Sequence, residues 1–203
     1  MYKWQIDFMK KCLHIGVINT EANSEILKEA VHKEIMGVSV VLRQIIEEDA
    51  IGIVSGILTK KAVKELGMSE EEVWKLAWEN TKRNFPPKLI NLKSQFEEII
   101  GLAMPGEYTR EYYLTSRKNQ YGAVYFLNEK LLQTISKKFR DSLYILPSSV
   151  HEVIVIREGD VEEGKKELKE LVIDANKDIF NPKDILSNNV YHYDIKNGLT
   201  IVA

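Results

Sequence analysis

The stretch from Leu143 to Glu158, LYILPSSVHEVIVIRE, constrains the fold of this chain more than any other. Two runs of aliphatic, aromatic and β-branched residues flank Pro147-Ser148-Ser149. Such runs form strands because branched side chains pack well on a pleated surface. The link between them is too short to carry a crossover helix. Strands joined by a short turn pair antiparallel, whereas a parallel pair needs a connection of a dozen residues or more. The stretch therefore predicts a strand pair, Leu143 to Leu146 with Val150 to Ile156, and argues against a Rossmann-type parallel sheet.

The same grammar recurs along the chain. Met36 to Ile46 and Ile51 to Thr59 are two strand-like runs joined by Glu47-Glu48-Asp49. Tyr112 to Thr115 and Gly122 to Leu127 flank a polar turn at Arg117 to Gln120. Val190 to Asp194 and Leu199 to Val202 surround Asn197-Gly198, a strong hairpin signal. Helical periodicity fills the intervals. On Lys3 to Leu13, Trp4, Phe8 and Cys12 recur at i, i+4, i+8, with Met9 and Leu13 beside them, which predicts one apolar face. Ser24 to Val31 is a weaker helix. Lys60 to Leu66 is a helix stopped by Gly67. Ser69 and Glu72 form a capping box opening a helix to Asn84, which Phe85-Pro86-Pro87 ends. Lys93 to Ile100 is short and amphipathic. Asn128 caps a helix with Leu131, Leu132, Ile135 and Phe139 as its buried stripe. A last helix, Val161 to Asn176, carries Leu168, Leu171, Val172 and Ala175. The class is α+β: a largely antiparallel sheet built from repeated strand-strand-helix units, with helices packed on it. Residues 1–203 read as a single domain, with a sub-boundary near 101–108 where Pro105 and Gly106 fall in a loop.

At 203 residues the chain can bury roughly 70% of its unfolded surface, so its core needs no covalent staples. The 28 basic and 30 acidic residues leave a net charge of −2, which provides no global field for nucleic acid or an anionic membrane. Basic residues do cluster locally, at Lys60, Lys61 and Lys64, at Lys82, Arg83 and Lys88, and at Lys137, Lys138 and Arg140. The last cluster complements the negative end of its own helix. The single cysteine, Cys12, permits no intramolecular disulfide and fits a reducing, cytoplasmic compartment. Its place on an apolar stripe predicts a buried structural thiol. No apolar run approaches the ~20 residues of a membrane helix.

The residues Leu143 to Val153, LYILPSSVHEV, resemble the hallmark of an uncharacterised bacterial family, the domain of unknown function family 5688. Asn80 to Pro86, NTKRNFP, is similar to that family's mid-chain helix end, and Leu186 to Tyr193, LSNNVYHY, to its C-terminal segment. The resemblance covers the chain from about Val31 onward. Family members tend to carry an additional N-terminal region, which implies that this chain is the compact C-terminal part. The resemblance brings no established activity. The family's occurrence in gut anaerobes and their mobile elements implies an accessory role.

The reactive residue types crowd into the opening stretch. Ser148, Ser149, His151 and Glu152 are the candidate catalytic residues for a small hydrolase or nuclease. Strand alternation would put His151 and Glu152 on opposite faces and Ser149 on the face of His151. A serine nucleophile, however, ordinarily sits on a glycine-flanked elbow, and none is present. The competing reading is structural: Pro147 and the serines close a strand end, and His151 hydrogen-bonds a neighbouring backbone. His14, His32, His151 and His192 are scattered, without HxxxH or HExxH spacing. A metal set would need His151 and His192 brought together with Glu152 or Asp194, so neither metal nor cofactor is expected. Trp74, Trp78 and Phe85 are the candidate partner-binding aromatics, with core packing as the competing reading. The reading reached is a non-enzymatic module that binds another protein, an accessory factor of a mobile element or phage, an inhibitor of a host system among its forms. The alternatives are a hydrolase or nuclease centred on His151 and a nucleic-acid-binding module. The sequence does not fix an oligomeric state.

Overall fold

The computed structural model describes residues 2–49, 52–94, 97, 101, 110–147, 149–162, 164–177 and 184–203. The architecture is α+β with antiparallel sheets, as the short links require. The chain divides into two compact units, Met1–Pro86 and Pro87–Ala203, each with its own sheet. The sub-boundary expected near 101–108 falls almost wholly outside the described residues.

The first unit runs α1 (Lys3–Cys12), β1 (Leu13–Asn19), α2 (Ser24–Glu29), β2 (His32–Ile35), β3 (Val38–Glu48), β4 (Ile53–Ile57), α3 (Lys60–Glu65) and α4 (Glu70–Asn84). Its sheet is organised by β3. One edge of β3 pairs with β1, Leu13 opposite Gln44 through Asn19 opposite Val38. The other edge takes β2 along Val38–Val41 and then β4 along Arg43–Glu48, end to end. Sequence reading missed β2. Its turn into β3 uses Met36 and Gly37, both at positive φ (55° and 79°), the conformation that lets a two-residue hairpin follow the strand twist. The first five residues of β3 are buried, and its end emerges as a two-stranded ribbon with β4.

α4 starts where the capping box predicts. The Ser69 hydroxyl accepts from Glu72 N–H at 3.3 Å, and the Glu72 carboxylate accepts from Ser69 N–H at 2.8 Å. The bonds that the carboxylate accepts from the Ser69 N–H and hydroxyl hold it below its ordinary pKa. Val73, Trp74, Ala77, Asn80 and Thr81 form the buried face. Thr81 closes the free edge of β1: its hydroxyl accepts from Ile15 N–H at 2.8 Å and donates to Ala77 C=O at 2.7 Å.

The second unit runs β5 (Pro87–Asn91), β6 (Glu111–Ser116), a 3₁₀ helix (Gly122–Leu127), α5 (Glu129–Phe139), β7 (Leu143–Pro147), β8 (Val153–Arg157), a 3₁₀ turn (Glu158–Asp160), α6 (Lys165–Lys177), β9 (Tyr191–Asp194) and β10 (Gly198–Ile201). Its sheet has the order β10-β9-β7-β8-β6-β5, antiparallel throughout. β7 is buried on both faces, and β9 alternates. Tyr144 and Leu146 pack with Ile156, Leu168, Val172 and Val190, so α6 lies on that face. On the other face Phe126 of the 3₁₀ helix packs against Tyr191 with ring centroids 4.9 Å apart. The buried stripe of α6 is Leu168, Val172 and Asn176. Leu171, expected inward, is 51% exposed. Asn176 replaces it because its amide donates to Ser187 C=O and to Asn188, tying the helix to the 184–190 segment.

Gly122 to Leu127 is a correction. GAVYFL reads as a strand but forms a 3₁₀ helix in which Gly122 through Phe126 are all buried. Continuous apolarity marks burial on every side, and it does not distinguish a central strand from a buried helical turn. Gly122 decides between them. A Cβ there would sit 2.2 Å from Ser116 N and 2.3 Å from Thr115 C. The chain turns back against the end of β6 and has no room to run alongside it. β5 was not expected at all, because Pro86-Pro87 reads as a breaker. Pro87 is its first residue and β5 is an edge strand, the position a sheet tolerates. Most of the helix expected at Lys93 to Ile100 lies outside the described residues.

Candidate functional site

The β7–β8 connection carries the signature residues. β7 ends at Pro147, paired with Val153, so Ser149 through Glu152 form a loop and not the start of a strand. The alternation argument for His151 and Glu152 therefore does not apply. Ser148 lies outside the described residues. Ser149 is buried and closes the loop on itself. Its N–H donates to Glu152 C=O at 3.0 Å, its hydroxyl donates to Glu152 Oε1 at 2.8 Å and accepts from His151 N–H at 3.0 Å. Ser149 thus engages Glu152, and the expected Ser149–His151 nucleophile and base pair does not form.

His151 faces the 3₁₀ helix. Its Nδ1 accepts from Tyr121 N–H at 3.2 Å, which assigns the ring proton of the neutral form to Nε2. Its ring lies 5.4 Å from the Tyr121 ring. Its carbonyl accepts from Gly122 N–H at 2.9 Å and from the Thr115 hydroxyl at 3.0 Å. Tyr121 is held at φ 54°, in the left-handed region. His151 thereby stitches the signature loop to the junction of β6 and the 3₁₀ helix. His151→Ala should lower stability by about 1–3 kcal/mol, the cost of a buried N–H left without its acceptor. A urea titration followed by circular dichroism measures this, and an unchanged midpoint would remove the stitching role.

Beside the loop, Glu152 shares a small cleft of about 270 Å³ with Ile90, Tyr113, Thr115 and Asn119. Burial, with Glu152 and Glu111 nearby, pushes the Tyr113 hydroxyl above its ordinary pKa, so it stays a neutral donor. Cofactor pockets usually hold ~300–1,000 Å³, and this one sits below that range.

The histidines considered for a metal are not gathered. His192 lies on β9 facing Tyr144, ring centroids 4.9 Å apart, with Nε2 3.4 Å from Glu158 Oε2. His151 is committed to Tyr121. Asp194 holds the β9–β10 turn, accepting from Lys196 and Asn197 N–H at 2.7 and 2.9 Å. Among the described residues no group of three or more His, Cys, Asp or Glu is placed to hold a metal ion.

The three candidate aromatics divide. Phe85 is fully buried, its ring 5.2 Å from that of His14, and Trp74 is 8% exposed. Trp74 donates from Nε1 to Glu70 at 3.2 Å and carries Lys33 Nζ 4.8 Å from its ring. Trp78 is half-buried. Core packing therefore accounts for Trp74 and Phe85. Among the described residues the large exposed aromatics are at α1 and its N-cap: Tyr2 at 73%, Trp4 at 68% and Phe8 at 52%. α1 has no fully buried residue. Ile6 and Met9 turn partly inward while Trp4 and Phe8 face solvent, so the single apolar face expected of α1 is in fact two. The surplus was readable: a ten-residue helix needs one stripe to dock, and α1 carries aromatics on a second. Cys12 is half-buried, and burial pushes its thiol above the ordinary pKa, against the opposing pull of Lys11.

Several basic residues of the first unit are taken up locally. Lys60 Nζ donates to Lys28 C=O, Lys82 pairs with Glu79, and Arg83 donates to Asn80 Oδ1. Among the described residues no helix is long and apolar enough to cross a membrane. Comparison with protein families gives a match to the family described as a family of unknown function (DUF5688), over residues 2–195 of the 203. No curated protein and no solved structure matches the chain.

Proposed function

The chain belongs to the DUF5688 family, and on that footing we propose that it is a non-enzymatic protein-binding module, an accessory factor of a mobile element or phage that works in the cytoplasm. The observation that carries the reading is the outward face of α1. Two large aromatics one helical turn apart, Trp4 and Phe8, stand 68% and 52% exposed with Tyr2 beside them. Leaving that much apolar surface in water is unfavourable by roughly 25 cal/mol per Å². Aromatics spaced i, i+4 on an amphipathic helix are the anchors by which a helix enters an apolar groove on another protein. Exposed Lys3 and Lys11 flank them, so the fitting partner is a protein groove with an apolar floor and a carboxylate rim. The loop chemistry supports the same reading, since Ser149, His151 and Glu152 are spent on holding the loop. The single cysteine and the absence of a membrane-length helix among the described residues support a cytoplasmic setting.

The test compares the wild-type chain with a Trp4→Asp, Phe8→Asp double variant. Because neither side chain is buried, the thermal midpoint should stay unchanged. A partner recovered by the wild type should lose affinity by about 2 kcal/mol or more per anchor, and mutating carboxylates on its groove should reproduce the loss. Equal binding by the variant would sink the reading. So would a concentration-dependent homodimer in sedimentation that the double variant abolishes, because the face would then be a self-interface.

A further inference from the structure

At one end of the second sheet lies a cleft of about 730 Å³, formed where α5 ends, β7 begins, β8 gives way to its 3₁₀ turn, and β9 turns into β10. That volume is in the range of small-molecule sites. Its lining includes Lys137, Arg140 and Lys196, together with Asp141, Glu158, Asp194 and His192. By formal charge this is a balanced set, but the bonding is not balanced. Asp141 accepts from Ser142 N–H at 2.8 Å and Gly159 N–H at 2.9 Å. Asp194 is occupied by the turn it holds, and those bonds keep its carboxyl below the ordinary pKa. The C-terminal carbonyls of α5 are taken by the Arg140 and Asp141 N–H groups, with Arg140 in the left-handed cap conformation. The three cations, by contrast, make no ion pair among the described residues.

A second observation points the same way. His192 Nε2 is buried and satisfied by no hydrogen bond. Glu158 Oε2 lies 3.4 Å away, within ion-pair distance but out of hydrogen-bond alignment. A buried polar atom left unpaired is costly, and such atoms are rare unless something else fills the position. The lining of the cleft therefore offers three cations without ion pairs and one carboxylate–imidazole pair without a hydrogen bond between them.

We propose that this cleft is a binding site for a small phosphate monoester that also carries a hydroxyl donor, the phosphate held by Lys137, Arg140 and Lys196 and the donor received by Glu158 and His192. The reasoning rests on complementarity. Lysine and arginine together recognise a dianionic phosphate through charge-assisted hydrogen bonds. A carboxylate repels a second anion but accepts an O–H, so a bare anion fills only half of the site. The site is independent of α1 and of the partner-binding reading.

The test is a nuclear magnetic resonance titration of the whole chain, following the His192 ring signals. Two probes are added at constant ionic strength: inorganic phosphate and glycerol 3-phosphate. Both should shift His192, and glycerol 3-phosphate should bind about tenfold tighter or better, the worth of one well-made donor contact. Lys137→Gln with Arg140→Gln should weaken both probes about tenfold or more. Glu158→Gln should weaken glycerol 3-phosphate and leave inorganic phosphate unchanged or improved. Because Lys137, Arg140 and Glu158 are at the surface, these variants should keep the wild-type thermal midpoint. Shifts reproduced by chloride alone, equal affinity for the two probes, or a double variant that binds as well as the wild type would each overturn the proposal.

Discussion

Gly122→Ala should cost the second unit about 3 kcal/mol or more, the upper range for overpacking a core. Added methylenes in a core usually push aside flexible side chains, and the cost stays moderate. Here the added carbon would meet Ser116 N, Thr115 C and Thr115 Cα at 2.2, 2.3 and 2.5 Å, all backbone atoms of β6. β6 is itself paired on both edges, to β5 and β8, so it cannot retreat without breaking a ladder. Gly122 N–H is also bound to His151 C=O at 2.9 Å, which fixes the glycine from the other side. The readout must avoid tryptophan, since Trp4, Trp74 and Trp78 all lie in the first unit. Amide hydrogen exchange across β7 and β8 serves instead. Protection there should collapse in the alanine variant while β1 and β3 stay protected. Full protection throughout would show that β6 can yield, contrary to the packing.

Phe85→Ala should destabilise the first unit by about 3 to 5 kcal/mol, the usual cost of emptying a buried aromatic site. Phe85 has no exposed surface and packs on His14 of β1. Its backbone N–H caps α4 by donating to Thr81 C=O at 2.8 Å, a bond the variant keeps, so the loss would be one of packing alone. Tryptophan fluorescence suits this case, because all three reporters sit in the unit under test. The urea midpoint should fall steeply for alanine and much less for Phe85→Leu. A fall below ~1 kcal/mol would mean that the site collapses around the gap. The pair also separates fold from function, since Phe85→Ala should act on stability and the α1 double variant on binding.

Local chemistry made much of this fold legible. Ser69 and Glu72 announce the start of α4 because a capping box works between neighbours in sequence. Asn197-Gly198 announces the last hairpin because Gly198 adopts φ 71°, which few other residues do cheaply. What the sequence did not show depends on partners distant in the chain. GAVYFL carries the apolarity of a strand, and only the approach of β6 makes it a helical turn. Pro87 reads as a stop until β5 is seen to be an edge. Ser149 and His151 look like a reactive pair because they are two apart on an imagined strand. Their true partners, Glu152 and Tyr121, appear only when the loop closes and the 3₁₀ helix returns to it. The aromatics stayed ambiguous for a related reason: periodicity reports that a face is apolar and is silent on whether anything covers it.

β3 gives the first unit an unusual dependence. Each pairing between named strands of that sheet runs through β3, with β1 on one side and β2 then β4 on the other. Without it, β2 and β4 would keep only the Ala30–Thr59 bridge and the Val31 N–H to Leu58 C=O bond at 3.2 Å between their flanks. The sheet therefore has no smaller ordered version to fall back on, and partial opening is confined to the outlying end of the ribbon near Glu47 and Glu48. Deeper opening must release all four strands together. The amides of Val38 to Leu42 should then exchange with solvent only as often as the whole unit unfolds, and the refolding rate of the unit should be set by how soon the chain first wraps β1 onto that one strand.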